Sequence, residues 1–201
     1  AIHVGGFRED WIEESRRLII SPGVAVSTPE VARASAAGKE VTGDVELFAR
    51  PAPLPVAAVT GSNAKSTVTA MLAEVARQCG RQPLAGGNLG TPALDLLCAP
   101  GDLYVLELSS FQLETTWSLD AQVSVILNIS EDHMDRYANF YDYIAAKQRI
   151  YDGSEVVVWN RDDELTRPQR PPAREITFGL HAEADYHLDA ARGMLMCRGE
   201  D

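Results

Sequence analysis

Apolar residues in this chain fall into short continuous runs, not strict alternation, and the runs are separated by stretches with helical spacing. Runs at residues 56–59, 103–108, 123–127 and 156–159 predict strands whose two faces are both covered. Between them, residues 66–78, 92–97 and 140–151 read as helices, the first stopped by Gly80. Such a succession predicts an α/β fold with a mostly parallel sheet and helices on both faces. Beyond residue 160 the pattern changes. Pro168, Pro171 and Pro172 make a loop, and residues 176–178, 186–188 and 194–197 read as short strands. The last two suit a hairpin turning near Arg192 and Gly193.

Ahead of residue 56 the pattern is sparser. Residues 18–20 read as a strand, Ser21-Pro22-Gly23 as a turn, and a helix opens at Thr28-Pro29-Glu30 and stops at Gly38. Thr28 suits a cap and Pro29 the first helical position. The run 44–48 follows, giving about two strands in all, too few for an independent sheet. Residues 1–50 are therefore expected to be the remnant of a domain that begins outside this sequence. Pro51, Pro53 and Pro55 stiffen the chain and exclude helix, marking residues 51–55 as a linker. Residues 56–201 then form a second domain, incomplete at its C-terminal end.

Composition narrows the chemistry. The 201 residues are 45% hydrophobic and 23% charged, which suits a chain with a real core. Eighteen Lys and Arg against 29 Asp and Glu leave a net charge of −11, so a nucleic-acid backbone is not an expected partner. Small phosphorylated ligands stay open, because one loop of backbone N–H groups and one lysine can hold them on an acidic protein. Cys79, Cys98 and Cys197 are odd in number and lack CxxC spacing, so reduced thiols are expected. No apolar run approaches the ~18 residues of a membrane span, and no basic segment followed by an apolar one opens the chain. Neither anchor nor signal peptide is expected, and the location expected is the cytoplasm.

The sharpest motif is Thr60-Gly61-Ser62-Asn63-Ala64-Lys65-Ser66-Thr67, placed between a buried strand and a helix. Helix N-terminal amides and Lys65 suit phosphate, and the Ser66 hydroxyl suits Mg²⁺, as in a P-loop-type ATPase domain. Val59 and Ala64 stand where the full P-loop pattern has glycines, so a plain strand-to-helix turn is the competing reading. Glu107-Leu108-Ser109-Ser110 ends one strand; Asn128 ends another and is followed by Glu131-Asp132-His133. Open α/β sheets bind ligands at these carboxyl ends. Taken alone, Glu107 could equally be a solvated edge residue, His133 a surface histidine and Lys147 a solvated helix lysine.

Five ordered blocks across residues 58–151 resemble the Mur ligases: Ala58–Thr67 the ATP loop, Gly86-Gly87-Asn88-Leu89-Gly90 the muramoyl-contacting loop, Leu106–Glu114, Asn128–Tyr137 and Ala146–Tyr151. The third block is similar to members that add D-glutamate. Ser21-Pro22-Gly23 and Gly43–Phe48 extend the resemblance to residues 1–50. It implies three domains: Rossmann-like for UDP, a central ATPase, and a C-terminal Rossmann-like domain. This sequence resembles the end of the first and most of the second.

The activity implied is ATP-dependent addition of D-glutamate to UDP-N-acetylmuramoyl-L-alanine through an acyl phosphate, in peptidoglycan precursor synthesis. The cofactors implied are ATP and Mg²⁺, and the chain is expected to be a monomer with small-molecule partners. Gly61, Ser62, Asn63, Ala64, Lys65, Ser66 and Thr67 would bind ATP. Ser66 and Glu107 would hold one Mg²⁺, and His133 and a carbamylated Lys147 a second. Lys65, His133 and Lys147 would be catalytic, with Asn88 and Ser109 facing the muramoyl substrate. The usual family loop has Gly where this chain has Ala64. Alternatives are another amino-acid ligase of the superfamily, acting on muramoyl peptides or folate, and a non-catalytic nucleotide-binding fragment. These residues alone are expected to show little ligation.

Overall fold

The computed structural model describes residues 2–198; the last three residues of the second domain expected above lie outside them. Helix α1 (Glu9–Glu14) precedes strand β1 (Arg17–Ile19), and helix α2 (Pro29–Ala36) leads to strand β2 (Glu40–Thr42). The two strands pair in parallel with Leu18 opposite Val41. Ile20, Val31 and Val41 make a small core of their own, with Leu18, Val24 and Val26 against it.

Residues 44–48 are not the second strand: they belong to helix α3 (Asp44–Ala49). Val45 and Phe48 are fully buried and stand three apart, the spacing of one helix face. They join the core of the larger sheet, where Phe48 packs edge-on against Tyr104 at 4.8 Å between ring centroids. The Glu46 carboxylate on the same helix accepts from the N–H groups of Trp117 (2.7 Å) and Ser118 (2.9 Å), the Ser118 hydroxyl and Arg50 Nε. Burial by itself would raise its pKa; the Trp117 and Ser118 N–H groups, the Ser118 hydroxyl and Arg50 hold it below the usual carboxylate value.

The larger sheet contains β3 (Val56–Thr60), β4 (Pro83–Gly87), β5 (Leu103–Glu107), β6 (Val123–Ile126), β7 (Val156–Asn160), β8 (Glu175–Gly179), β9 (Tyr186–Asp189) and β10 (Met194–Cys197). Their spatial order is β10-β9-β8-β7-β6-β3-β5-β4, and every pairing except β9 with β10 is parallel. Tyr104, Val105, Leu106 and Glu107 of β5 are all buried. Successive strand residues face opposite ways, so layers cover both faces of the sheet. The fold is α/β with a mostly parallel sheet. Between strands come α4 (Lys65–Gln78), α5 (Ala93–Leu96), α6 (Ser110–Leu113) and α7 (Phe140–Gln148), the last tightening into a 3-10 turn at Arg149–Tyr151.

Four of these elements lie outside the sequence expectation: α1, β2, β4 and α6. Strand β4 carries Gly86 and Gly87, which mask a strand signal, and α6 is a single turn. The hairpin of β9 and β10 lies where expected, with Gly193 at φ +62° in its turn. Among the described residues no helix is long and apolar enough to cross a membrane, and the three cysteines are free and exposed.

Strand order fixes where a ligand can sit. After β3 the chain moves to β4 and β5 on one side, then crosses back to β6 on the other. The carboxyl ends of β3, β5 and β6 therefore open together at the point where strand order reverses, the usual ligand crevice of an open α/β sheet.

Candidate active site

Residues 61–64 connect β3 to α4, whose first turn begins at Lys65. The loop is held by the segment after β6. Ser62 N–H donates to the Asn128 carbonyl at 2.9 Å, Asn63 N–H to Asn128 Oδ1 at 2.8 Å, and Asn128 Nδ2 to the Asn63 carbonyl at 3.2 Å. Ser62 Oγ donates to the Ser130 carbonyl, accepts from Ser130 N–H at 2.9 Å, and lies 2.8 Å from the Tyr143 hydroxyl. A Cβ on Gly61 would press on Leu127 Cβ at 3.2 Å and the Asn128 carbonyl at 3.4 Å. Loop shape is thus set by bonds that leave the amides at the start of α4 turned to the crevice, where a helix dipole favours an anion.

Ala64 caps α4 in the left-handed region, at φ 65° and ψ 7°. That conformation costs an L-residue roughly 1–2 kcal/mol and glycine little. Ala64→Gly is accordingly expected to stabilise the fold by about 0.5–1 kcal/mol, some of the gain being returned to the freer unfolded chain. Thermal unfolding checks this: a rise of roughly 1–4 °C is expected for a domain of this size.

Lys65 is half-buried and donates to the Ser62 carbonyl at 3.1 Å. Ser66 and Thr67 are exposed on the first turn of α4. Glu107, the last residue of β5, is 3% exposed, so the solvated-edge reading fails. Its Oε1 accepts from Asn88 Nδ2 at 2.9 Å, and its carbonyl accepts from Asn88 N–H at 2.8 Å. Asn88 can approach so closely because the preceding Gly87 sits at φ +108°, where a Cβ would collide with the Glu107 carbonyl. Ser109 caps α6 through a reciprocal pair with Gln112: its Oγ accepts from Gln112 N–H, and Gln112 Oε1 accepts from Ser109 N–H.

Lys147 is 2% exposed, which rules out a solvated helix lysine. Its ammonium donates to the Gly61 carbonyl at 2.8 Å and lies 4.7 Å from the centre of the Tyr143 ring. Burial first, then the nearby positive charge of Lys65, pulls its pKa down to about 7, against a smaller opposing pull from Asp132. The side chain comes from α7 yet reaches the floor of the loop. His133 has φ +56°, a left-handed conformation uncommon outside glycine, with its N–H donated to Asp132 Oδ1 at 2.9 Å. Its ring packs against Phe111 at 4.8 Å, and its Nε2 lies 3.4 Å from Asp132 Oδ2. Among the described residues no bond joins His133 to Lys147.

Reading the sequence singled out neither Tyr143 nor Arg136. Tyr143 is buried between Ser62 and Lys147; its only mark in the sequence is its place one helical turn before Lys147. Among the described residues no group of three or more His, Cys, Asp or Glu side chains could cage a metal ion. The donors present suit Mg²⁺, which keeps waters and shares phosphate oxygens with only one or two protein carboxylates.

Residues 59–194 match the Mur ligase middle domain, and residues 1–43 match the Mur ligase MurD-like N-terminal domain. The chain is 63% identical over 199 residues to a UDP-N-acetylmuramoylalanine--D-glutamate ligase of Alcanivorax borkumensis, covering 99% of this chain and 45% of that protein. It is 53% identical over 197 residues to the ligase of the same description from Nitrosococcus oceani, covering 96% of this chain and 43% of that one. The chain thus spans less than half the length of these curated relatives. In fold it is similar to a MurF ligase from Thermotoga maritima solved in complex with ADP, with a TM-score of 0.58, 19% identity, and 89% of this chain and 51% of that one covered.

Proposed function

The chain belongs to the Mur ligase family, and from that premise we propose that it carries the ATP site of a ligase that adds D-glutamate to UDP-N-acetylmuramoyl-L-alanine in peptidoglycan precursor synthesis. The curated relatives named above support the choice of substrates. One observation carries the assignment: a phosphate-type loop closes over a buried lysine, with Lys65 on its rim and Lys147 bonded to its Gly61 carbonyl. The expected division puts residues 1–50 in the unit for the UDP substrate, 51–55 in a linker and 56–201 in the ATP unit, with α3 of the first packed into the core of the last through Val45 and Phe48.

In this reading the amides of Ala64, Lys65 and Ser66 and the Lys65 ammonium bind the nucleotide phosphates, while those of Ser62 and Asn63 stay on Asn128 and hold the loop. Ser66 and Glu107 hold one Mg²⁺, Asn88 keeping the Glu107 carboxylate oriented; His133 and Lys147 hold a second. When bound, the ions neutralise charge on the phosphoryl group in transfer. The alanyl carboxylate attacks the γ-phosphorus, ADP leaves, and an acyl phosphate results. The D-glutamate amine then adds to the acyl carbon, loses a proton and expels phosphate. A carboxylate is a poor acyl donor, so the chain's contribution is to position the groups and stabilise charge. Asn88 and Ser109 face the muramoyl side.

Lys147 can become a ligand only by changing its charge. A neutral amine adds CO₂, releases a proton and becomes a carbamate, replacing a cation that would repel Mg²⁺ with oxygen donors. The lowered pKa of Lys147 supports that step, since near pH 7 much of the amine is neutral.

The test is a ligation assay on a polypeptide of the relatives' full length carrying these residues, offered D-glutamate, L-alanine and diaminopimelate separately. Product and phosphate release are expected with D-glutamate alone. Preference for another amino acid would move the chain elsewhere in the family.

A further inference from the structure

We propose that Arg136 is a positioning residue that ties the 21–24 turn of the N-terminal unit to the turn carrying His133. Its guanidinium donates from Nη1 to the Pro22 carbonyl at 2.7 Å and from Nη2 to the Val24 carbonyl at 3.3 Å. The same Nη2 pairs with Glu114 at 2.9 Å, the two side chains being 11% and 14% exposed. On its other side Arg136 holds the histidine. Its backbone N–H donates to the His133 carbonyl at 2.9 Å, and its guanidinium covers the Phe111 ring at 4.1 Å, against which the His133 imidazole packs.

Among the described residues, these two bonds are the only hydrogen bonds from residues 21–28 to the unit of the larger sheet. A cavity of about 750 Å³, with Arg136 in its wall, lies between Ala25, Val26 and Ser27 and the α7 residues Ala145 and Ala146. A planar guanidinium can serve two carbonyls, a carboxylate and a ring face together, whereas an ammonium is a single point charge. Arg136 therefore fixes the 21–24 turn against the histidine turn, beside the Glu40–Arg50 pair and the close approach of Gly43 to Thr115 that join β2 to the larger unit. This inference rests on the proposed function, in which residues 1–50 serve the muramoyl nucleotide and His133 the phosphoryl group. A misplacement of about 1 Å between reacting groups can cost on the order of a hundredfold in rate.

Arg136→Met and Arg136→Lys provide the test. In the ligation assay on the full-length polypeptide, Arg136→Met is expected to raise KM for the muramoyl nucleotide about tenfold or more, with KM for ATP within about twofold of the parent; Arg136→Lys should recover part of the loss. Simple destabilisation would lower the active fraction and leave both KM values alone. On the 201-residue chain, amide exchange at Gly23–Ala25 should speed up about tenfold in Arg136→Met, and less in Arg136→Lys. Unchanged exchange at those amides, or an unchanged muramoyl KM, overturns the proposal. A parent polypeptide that makes no ligation product would instead overturn the ligase reading, and the exchange measurement would still decide the role of Arg136. Should Arg136→Met not fold, Arg136→Lys carries both readouts.

Discussion

Replacing Lys65 with alanine is expected to weaken Mg·ATP binding roughly 10- to 150-fold and to leave the fold intact. The ammonium at the rim of the loop is the one cation carried by the 61–67 segment, and its bond within the protein is to the Ser62 carbonyl. Hydrogen bonds to charged groups contribute about 1.5–3 kcal/mol each, which sets the size of the loss. The loop itself is held by Asn128, Ser130 and Tyr143, none of which needs Lys65. Calorimetric titration beside a thermal melt separates the two effects. An unchanged affinity in a folded variant would remove Lys65 from the phosphate site.

The second large effect is expected at Lys147. Lys147→Ala should lower ligation by about three orders of magnitude, the scale of losing a charge-stabilising group in a dry site. Short carboxylates such as formate or acetate should restore part of it by occupying the vacated ligand position. Lys147→Arg should not rescue, because a guanidinium cannot become an anionic oxygen donor. The same residue leaves a mark on stability. Its folded pKa of about 7 lies below the ordinary 10.5, so between those values the unfolded chain binds a proton that the folded chain does not. Stability contributed by this group therefore rises with pH from about 7 to about 10.5. Lys147→Met should flatten that rise and stay within about 1–2 kcal/mol of the parent at neutral pH, where relief from burying an amine without a carboxylate partner offsets the lost bond to the Gly61 carbonyl. A rise of the same steepness in the methionine variant would contradict the burial of Lys147 at this site.

What could be foreseen from the residues was whatever depends on local order. The runs at 56–59, 103–108 and 123–127 announced parallel strands because a strand covered on both faces has no polar side to show. The loop of small residues ending in Lys65 pointed to a phosphate site because it opens a helix, whose free amides favour an anion, and the structure places that loop at the carboxyl end of β3. Residues 44–48 misled because Val45 and Phe48 are buried at a spacing of three, while acidic Asp44 and Glu46 imitate alternation over so short a span. Glu46 is itself buried, on a partner more than seventy residues away that no local pattern can reveal. Lys147 is the strongest case. Its helical neighbours Tyr143, Ile144 and Ile150 lie on a buried face, yet a lysine beside them reads as solvated by default, and only the fold brings it to the Gly61 carbonyl, so family resemblance rather than spacing pointed to it. Tyr143 and Arg136 escaped notice for the same reason, since each acts through contacts distant in sequence.

Titration of the 201-residue chain with Mg·ATP, followed residue by residue in its amide spectrum, tests the placement of the site most directly. Shifts concentrated at residues 61–67 and at Asn88, Glu107, His133 and Lys147, with the 186–197 hairpin unmoved and the response lost in Lys65→Ala, are the predicted result. Saturable shifts centred on the hairpin or elsewhere away from the ends of β3, β5 and β6, or no response to Mg·ATP at all, would contradict it.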